Sequence, residues 1–346
     1  INGYRRIMPM HLLVDGYGMS IGKHSERVQI KKNGEVTAEA PLLEIDQITL
    51  ATRGAVISTD LIEACVKNGI QINFLEFNGQ PLAKLTSPCL SGTVITRRKQ
   101  MEAYHNHLGT FLSKQFVRGK LTNQLYLIKY FAKYRKSTDG LAFQELQNRC
   151  QNIANNIREI ERVSNLPIDE IRGQLLSIEG RAGREYWSAV KVLVKNKVSD
   201  FPGREHRGAT DLLNSMLNYG YGILYSQVWG ALLLAGLEPF AGFMHVDRPG
   251  KPSLVLDFIE EFRQPVVDHA IIAGLKNMEG KGHSADGGLS VAIRREIACK
   301  VEERLDSVFR YKNNKLTLRS ILQKQARQLA AFFREETRYR PFTGGW

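Results

Sequence analysis

The sequence predicts an α+β chain: a small N-terminal β-domain of hairpins plus one helix over 10–95, then a larger all-α domain over 96–346. Three observations predict it. Up to about residue 95, apolar and polar residues alternate, and two Asn-Gly pairs, Asn33-Gly34 and Asn78-Gly79, punctuate the alternation. From about Arg97 the apolar spacing lengthens to the helical period and stays there. The charge divides at the same place. Residues 1–95 carry nine Lys/Arg and nine Asp/Glu, so the whole formal charge of +13 falls on the remainder.

In chain order, residues 1–9 read as an upstream linker or tag remnant ahead of a first strand near Met10. His11 to Asp15 is a short apolar run. Val28 to Lys32 alternates, turns at Asn33-Gly34, where both positions need positive φ, and returns through Glu35 to Glu39. Residues 58–69 read as one helix, with a hydroxyl at the start and Gly69 at the end. Residues 70–77 form a strand leading into Asn78-Gly79, and a hinge is expected near 87–96. Helices are then expected at about 97–117, 120–136, 143–164, 168–197, 209–236, 254–278, 288–310 and 316–338, with breaks at 199–203 and 247–252.

With 346 residues the chain can bury two sizeable cores. Cys65, Cys89, Cys150 and Cys299 are scattered, which argues against a zinc site or a disulfide framework and fits a reducing, cytoplasmic setting. The most apolar run, 223–240, contains Gln227, Gly230, Gly236 and Glu238, so it reads as a buried helix and not a membrane span. No secretory signal pattern is present. A basic second part implies contact with a polyanion.

Three signatures in that part carry chemistry: 177–187 with Glu179, 242–248 with His245, and 254–263 with Asp257, Glu260 and Glu261. Carboxylate oxygen and imidazole nitrogen are donors that Mg²⁺ or Mn²⁺ accept. Alone, Glu179 reads as a solvated glutamate and His245 as a satisfied core or loop residue. Asp257 and Glu260, three apart on a helix, repel unless a cation or Arg263 compensates them. Residues 103–138 hold no Asp or Glu but seven Lys/Arg, with Tyr126, Tyr130 and Tyr134 at helical spacing beside Lys129 and Lys133. Such a stripe suits a phosphate backbone; the bland alternative is core tyrosines and a solvated lysine face.

The motifs 178–187, 211–221, 231–240, 242–245 and 256–263 together resemble the CRISPR-associated integrase family, the metal-dependent subunit of the spacer-acquisition machinery. The resemblance covers nearly the whole chain from Met10. It implies metal ligands at Glu179, His245 and Glu260, a further catalytic carboxylate at Asp257, and Mg²⁺ or Mn²⁺ as cofactor. Glu261 is the local ambiguity, and Gly183 stands where alanine is commoner. The implied reaction joins 3′-hydroxyl ends of prespacer DNA to the CRISPR repeat by transesterification. Candidate DNA contacts are Lys129, Lys133, Arg181, Arg184, Arg204, Arg207, Arg248 and Arg263. The family resemblance further implies double-stranded DNA as partner and homodimers bridged in pairs by a small ferredoxin-like CRISPR-associated subunit. It also implies fusion in some members to a reverse transcriptase or nuclease domain, and a cytoplasmic, nucleoid-associated setting without membrane contact. A stand-alone structure-specific nuclease or transposon-type integrase, and a non-catalytic nucleic-acid scaffold, are the competing readings.

Overall fold

The structure, a computed structural model, describes residues 10–76, 79, 81–85, 94–195, 197–198, 201–205, 211–278 and 288–344. The chain divides into two compact units with the boundary between Leu90 and Ser91. Residues 1–9, Cys89 and most of the expected hinge near 87–96 lie outside the described residues.

The first unit runs β1 (Met10–Val14), β2 (Met19–His24), β3 (Arg27–Lys32), β4 (Glu35–Pro41), β5 (Ile45–Leu50), β6 (Val56–Ile57), α1 (Thr59–Lys67), β7 (Gln71–Leu75) and β8 (Pro81–Leu85). The expected hairpin is β3–β4, and Asn33 and Gly34 take φ of 52° and 86°, the left-handed values a two-residue turn requires. Ser58 caps α1 by accepting from Leu61 N at 3.3 Å, and Gly69 leaves it at φ 71°. Alternation cannot reveal the pairing. The strands split into two four-stranded sheets, β4-β3-β2-β6 and β1-β5-β7-β8, and in the second β1, β5 and β7 run parallel. Val28, Ile48, Leu61, Cys65 and Ile72 close the core between them. Asn78 lies outside the described residues; Gly79 has φ 85°.

The second unit is helical: α2 (Val94–Tyr104), α3 (His107–Ala132), α4 (Gly140–Arg162), α5 (Ile168–Val194), α6 (Leu212–Leu234), α7 (Ser253–Ile259), α8 (His269–Met278), α9 (Val291–Asp306) and α10 (Leu318–Phe333). Four expectations are corrected. The helix expected over 97–117 breaks at Asn106, whose side chain caps α3 by accepting from Leu108 N at 2.8 Å. The expected interruption before residue 120 does not occur. Gly119 is helical, and a Cβ there would meet Pro341 Cβ at 2.7 Å, so glycine marks a close approach of the C-terminal segment and not a helix end. The unit is not all-α, since β9 (Val308–Tyr311) and β10 (Asn314–Thr317) form a hairpin turned at Lys312, φ 55°. The run expected over 254–278 is not one helix either, because a π-helical turn, Arg263–Asp268, separates α7 from α8.

α5 is the spine of the site. Ile168, Ile171, Leu175, Ile178, Ala182, Tyr186, Ala189 and Val190 recur at three- and four-residue spacing and are all buried. Each fully buried Leu or Ile contributes about 1.5–3 kcal/mol, so the roll angle of α5 is strongly determined. That angle leaves Glu179 on the shoulder of the buried stripe. Among the described residues no helix is long and apolar enough to cross a membrane, and the described cysteines are free thiols.

Candidate active site

Glu179 from α5 and Glu260, directly after α7, meet around Lys120 of α3. The Lys120 ammonium lies 2.5 Å from Glu179 Oε1 and 2.9 Å from Glu260 Oε2. Lys120 and Glu179 side chains are 17% exposed and Glu260 8%, so this is a buried cluster and not a surface pairing. Arg263 Nε stands 3.5 Å from Glu260 Oε1. Burial alone would push the Glu260 carboxyl up, but the Arg263 and Lys120 charges outweigh it and hold the group ionised well below the usual carboxylate range. Burial likewise opposes the charge on Lys120, and Glu179 and Glu260 overcome it, so the ammonium is held protonated.

These residues line a cavity of about 650 Å³, with Gln124, Gly180, Gly183, Arg184, Trp187, Lys191, Arg204, Tyr221 and Gln264 around it. Gln124 and Gln264 are buried, and each has a side-chain oxygen without a hydrogen-bond partner. The cavity floor is braced by Asp268, at the end of the π-helical turn. It accepts from Tyr186 OH at 2.5 Å and from Tyr221 OH. Burial pushes the Asp268 carboxyl up to about 6, against the two tyrosine hydroxyls and the charges of Arg204 and Arg263. Arg263 and Arg204 lie over the Tyr221 ring, 4.8 Å and 5.3 Å from its centre.

His245 sits in the loop after α6, and its place follows from Asp257. The fully buried Asp257 carboxylate accepts backbone N–H groups of Phe243 (2.6 Å), Met244 (3.0 Å) and His245 (2.9 Å), and lies 2.7 Å from His245 Nδ1. Nδ1 is thereby committed, which leaves Nε2 as the nitrogen available to a ligand. Gly242 is required here: a Cβ would meet the Ser253 carbonyl carbon at 2.5 Å and Leu254 N at 2.7 Å. Asp257 is therefore a positioning group for the loop.

Among the described residues no three His, Cys, Asp or Glu side chains converge as a ligand group; Glu179 and Glu260 converge on an ammonium instead. The Glu261 carboxyl group is turned elsewhere, accepting from Tyr339 OH (2.5 Å), Phe342 N (2.7 Å) and Gln325 (3.3 Å), so it anchors the C-terminal segment. Of the candidate DNA contacts, Arg184, Arg204 and Arg263 line the cavity. Arg181 is spent on Glu159 at 2.5 Å, with Asn156 and Ser177 beside it. Arg248 is exposed in the turn beside Lys251. Lys133 covers the rings of Tyr130 and Tyr134, 4.3 Å and 5.0 Å from their centres, and Lys129 is exposed on the same helix. Arg207 lies outside the described residues. In the sequence Lys120 is visible only as one of seven cations, yet it falls on the face of α3 that buries Phe116, Val117, Leu121 and Gln124. A lone lysine among buried neighbours is the signal that could have found it.

Residues 12–303 match the family model described as CRISPR associated protein Cas1. The chain belongs to the Cas1 family. It is 35% identical to a CRISPR-associated endonuclease Cas1 of Archaeoglobus fulgidus, over 97% of this chain and all of that protein. It is 32% identical to one of Francisella tularensis subsp. novicida, over 97% of this chain and 99% of that one. Among solved structures it resembles a casposase bound to integration product, with a TM-score of 0.81 at 23% identity over 96% of this chain and 93% of that one. A Cas1 protein from Thermotoga maritima superimposes with a TM-score of 0.77 at 18% identity, over 96% of this chain and all of that one. These likenesses agree with the predicted order of β-rich region followed by helical region.

Proposed function

We propose that this Cas1-family chain is a divalent-metal-dependent DNA endonuclease and integrase of CRISPR adaptation, which joins prespacer 3′-hydroxyl ends to the CRISPR repeat. The observation that carries the reading is the convergence of Glu179 and Glu260, from separate elements, on one buried cation beside a large basic-lined cavity. A carboxylate pair with an imidazole suits Mg²⁺ or Mn²⁺. The residues present fit such an ion. Glu260 Oε2 is buried and, apart from its ion pair, has no hydrogen bond, so it retains lone pairs for a metal.

Glu179, His245 through Nε2, and Glu260 are the residues that would hold the ion. Bound there, it would polarise the attacked phosphate and lower the pKa of the attacking hydroxyl. The protein's own groups do the rest. Asp257 keeps Nδ1 of His245 committed and the loop fixed, so the imidazole needs no reorganisation. Arg263 and Arg204, held by Tyr221 and by Asn214 and Asn218, present fixed positive charge to the cavity, where it would offset the negative charge that builds on an attacked phosphate. Gly180 and Gly183 leave the α5 wall bare, since a Cβ at either would meet nothing within 4 Å, and a phosphodiester strand can approach closely there. No side chain need form a covalent intermediate; the incoming hydroxyl displaces the repeat 3′-oxygen directly.

The reading includes double-stranded DNA as substrate, a homodimer, and a small ferredoxin-like CRISPR-associated subunit joining two dimers, in a prokaryotic cytoplasm. The test is strand transfer of a short duplex into a supercoiled repeat plasmid, with and without Mn²⁺ and the bridging subunit. Mn²⁺-dependent product supports it. Nicking at the same rate in chelator contradicts it.

A further inference from the structure

Lys120 has no role in the mechanism above, yet its ammonium touches both acidic residues assigned to the metal. Those carboxylates arrive on different elements, α5 and the end of α7, and both contact one ammonium. The lysine that bridges them comes from a third helix, α3. The cluster is charge-balanced: Glu179 and Glu260 against Lys120 and Arg263, all four largely buried. A buried group of charges tolerates little net excess, because water cannot screen it.

A divalent ion entering between the carboxylates would leave the cluster two positive charges in excess and would meet the ammonium at contact distance. It can enter stably only if Lys120 withdraws or anions arrive. Both routes lead to the adjoining cavity of about 650 Å³. Lys120 itself lines that cavity, and its flexible four-carbon stem lets the ammonium swing into it. Arg184, Lys191 and Arg204 already stand there, so the cavity is a poor refuge for another cation until a phosphate occupies it.

We infer that Lys120 is a built-in counter-ion that holds the divalent-metal position between Glu179 and Glu260 and makes metal loading depend on DNA. This rests on the assignment of those two glutamates as metal ligands. A phosphate in the cavity draws Lys120 off the carboxylates, and the ion takes its place. Coupling of this kind is reciprocal: DNA must tighten Mn²⁺ binding by the factor by which Mn²⁺ tightens DNA binding, commonly about 5–150-fold. The device keeps the hydrolytic centre unloaded until a strand is seated.

The test is Mn²⁺ affinity of the full chain, by titration calorimetry and by electron paramagnetic resonance of unbound Mn²⁺. It is measured alone and with a short duplex whose 3′ ends lack the hydroxyl, so that no reaction follows. Wild type should bind Mn²⁺ weakly alone and at least about fivefold more tightly with the duplex. Lys120→Met should bind Mn²⁺ tightly without DNA, with the coupling reduced towards unity. Lys120→Gln serves the same purpose if the methionine variant folds only with Mn²⁺, and that dependence would itself support the inference. Wild-type coupling in both variants, or Mn²⁺ binding without DNA that is weaker than wild type in both, overturns it. If Glu179→Gln/Glu260→Gln takes up Mn²⁺ as well as wild type, the ligand assignment has failed and this inference falls with it.

Discussion

At the scale of single residues, the structure separates acids that composition alone would treat alike. Glu179 and Glu260 face the cation and the cavity, Asp257 faces its own loop, and Glu261 faces the C-terminal segment. Glu179→Ala, His245→Ala and Glu260→Ala should each reduce strand transfer by at least about 10²-fold with DNA affinity largely retained, the scale expected when a group that stabilises transition-state charge is removed. Asp257→Asn should weaken Mn²⁺ binding by roughly 10–100-fold, as removal of an outer partner of a metal-binding histidine does. Glu261 makes a different prediction. Burial pushes its carboxyl up to about 8 despite donors from Tyr339, Phe342 and Gln325, whereas the unfolded chain ionises it near 4.5. Between those values the folded state holds the extra proton, so this residue's contribution to stability falls as pH rises from about 4.5 to about 8. Urea midpoints of wild type and Glu261→Gln across that window test it. The wild-type decline should flatten in the variant, and parallel curves would contradict the assignment.

At the scale of elements, helix existence was legible because apolar periodicity in α5 and the caps of α1 and α6 are local properties of the chain. What stayed hidden is non-local. Gly119 looks like a helix breaker until Pro341 is placed against it, and the parallel pairing of β1, β5 and β7 leaves no mark in any one strand. The β9–β10 hairpin, four residues a side, is too short for alternation to stand out beside two long helices. The site divides in the same way. The resemblance carried by the motifs implied Glu179, His245 and Glu260, while Lys120 and the Asp268 brace depend on helices meeting across more than fifty residues of sequence. Gly119→Ala should cost about 1–3 kcal/mol, as over-packing does, because the neighbouring Pro341 is rigid. Gly183→Ala, with nothing near its Cβ, should instead gain about 0.5–1 kcal/mol of helix stability. Thermal denaturation of the two variants should therefore move in opposite directions, and a melting temperature raised by Gly119→Ala would show that the close approach at Gly119 is misplaced.

At the scale of the whole molecule, the +13 charge lies outside residues 1–95, so DNA affinity should be governed by the helical unit. Reversing Lys129 and Lys133 to Glu should weaken binding to every sequence about equally and lower the salt slope by roughly one unit for each phosphate no longer neutralised. An unchanged slope would leave those lysines as a solvated face, with Lys133 merely covering Tyr130 and Tyr134. The β-rich unit, neutral and carrying exposed Leu43 and Val56, is expected to serve self-association. Leu43→Glu with Val56→Glu should shift sedimentation of the full chain towards monomer while leaving Mn²⁺ binding intact. The most direct test of the central claim is Mn²⁺-dependent strand transfer into a supercoiled repeat plasmid, compared between wild type, Glu260→Gln and Glu261→Gln. Product from wild type and Glu261→Gln, with at least about a hundredfold less from Glu260→Gln, is the predicted result on the scale of forfeited transition-state stabilisation. Full activity in Glu260→Gln, or loss confined to Glu261→Gln in a folded protein, would contradict it.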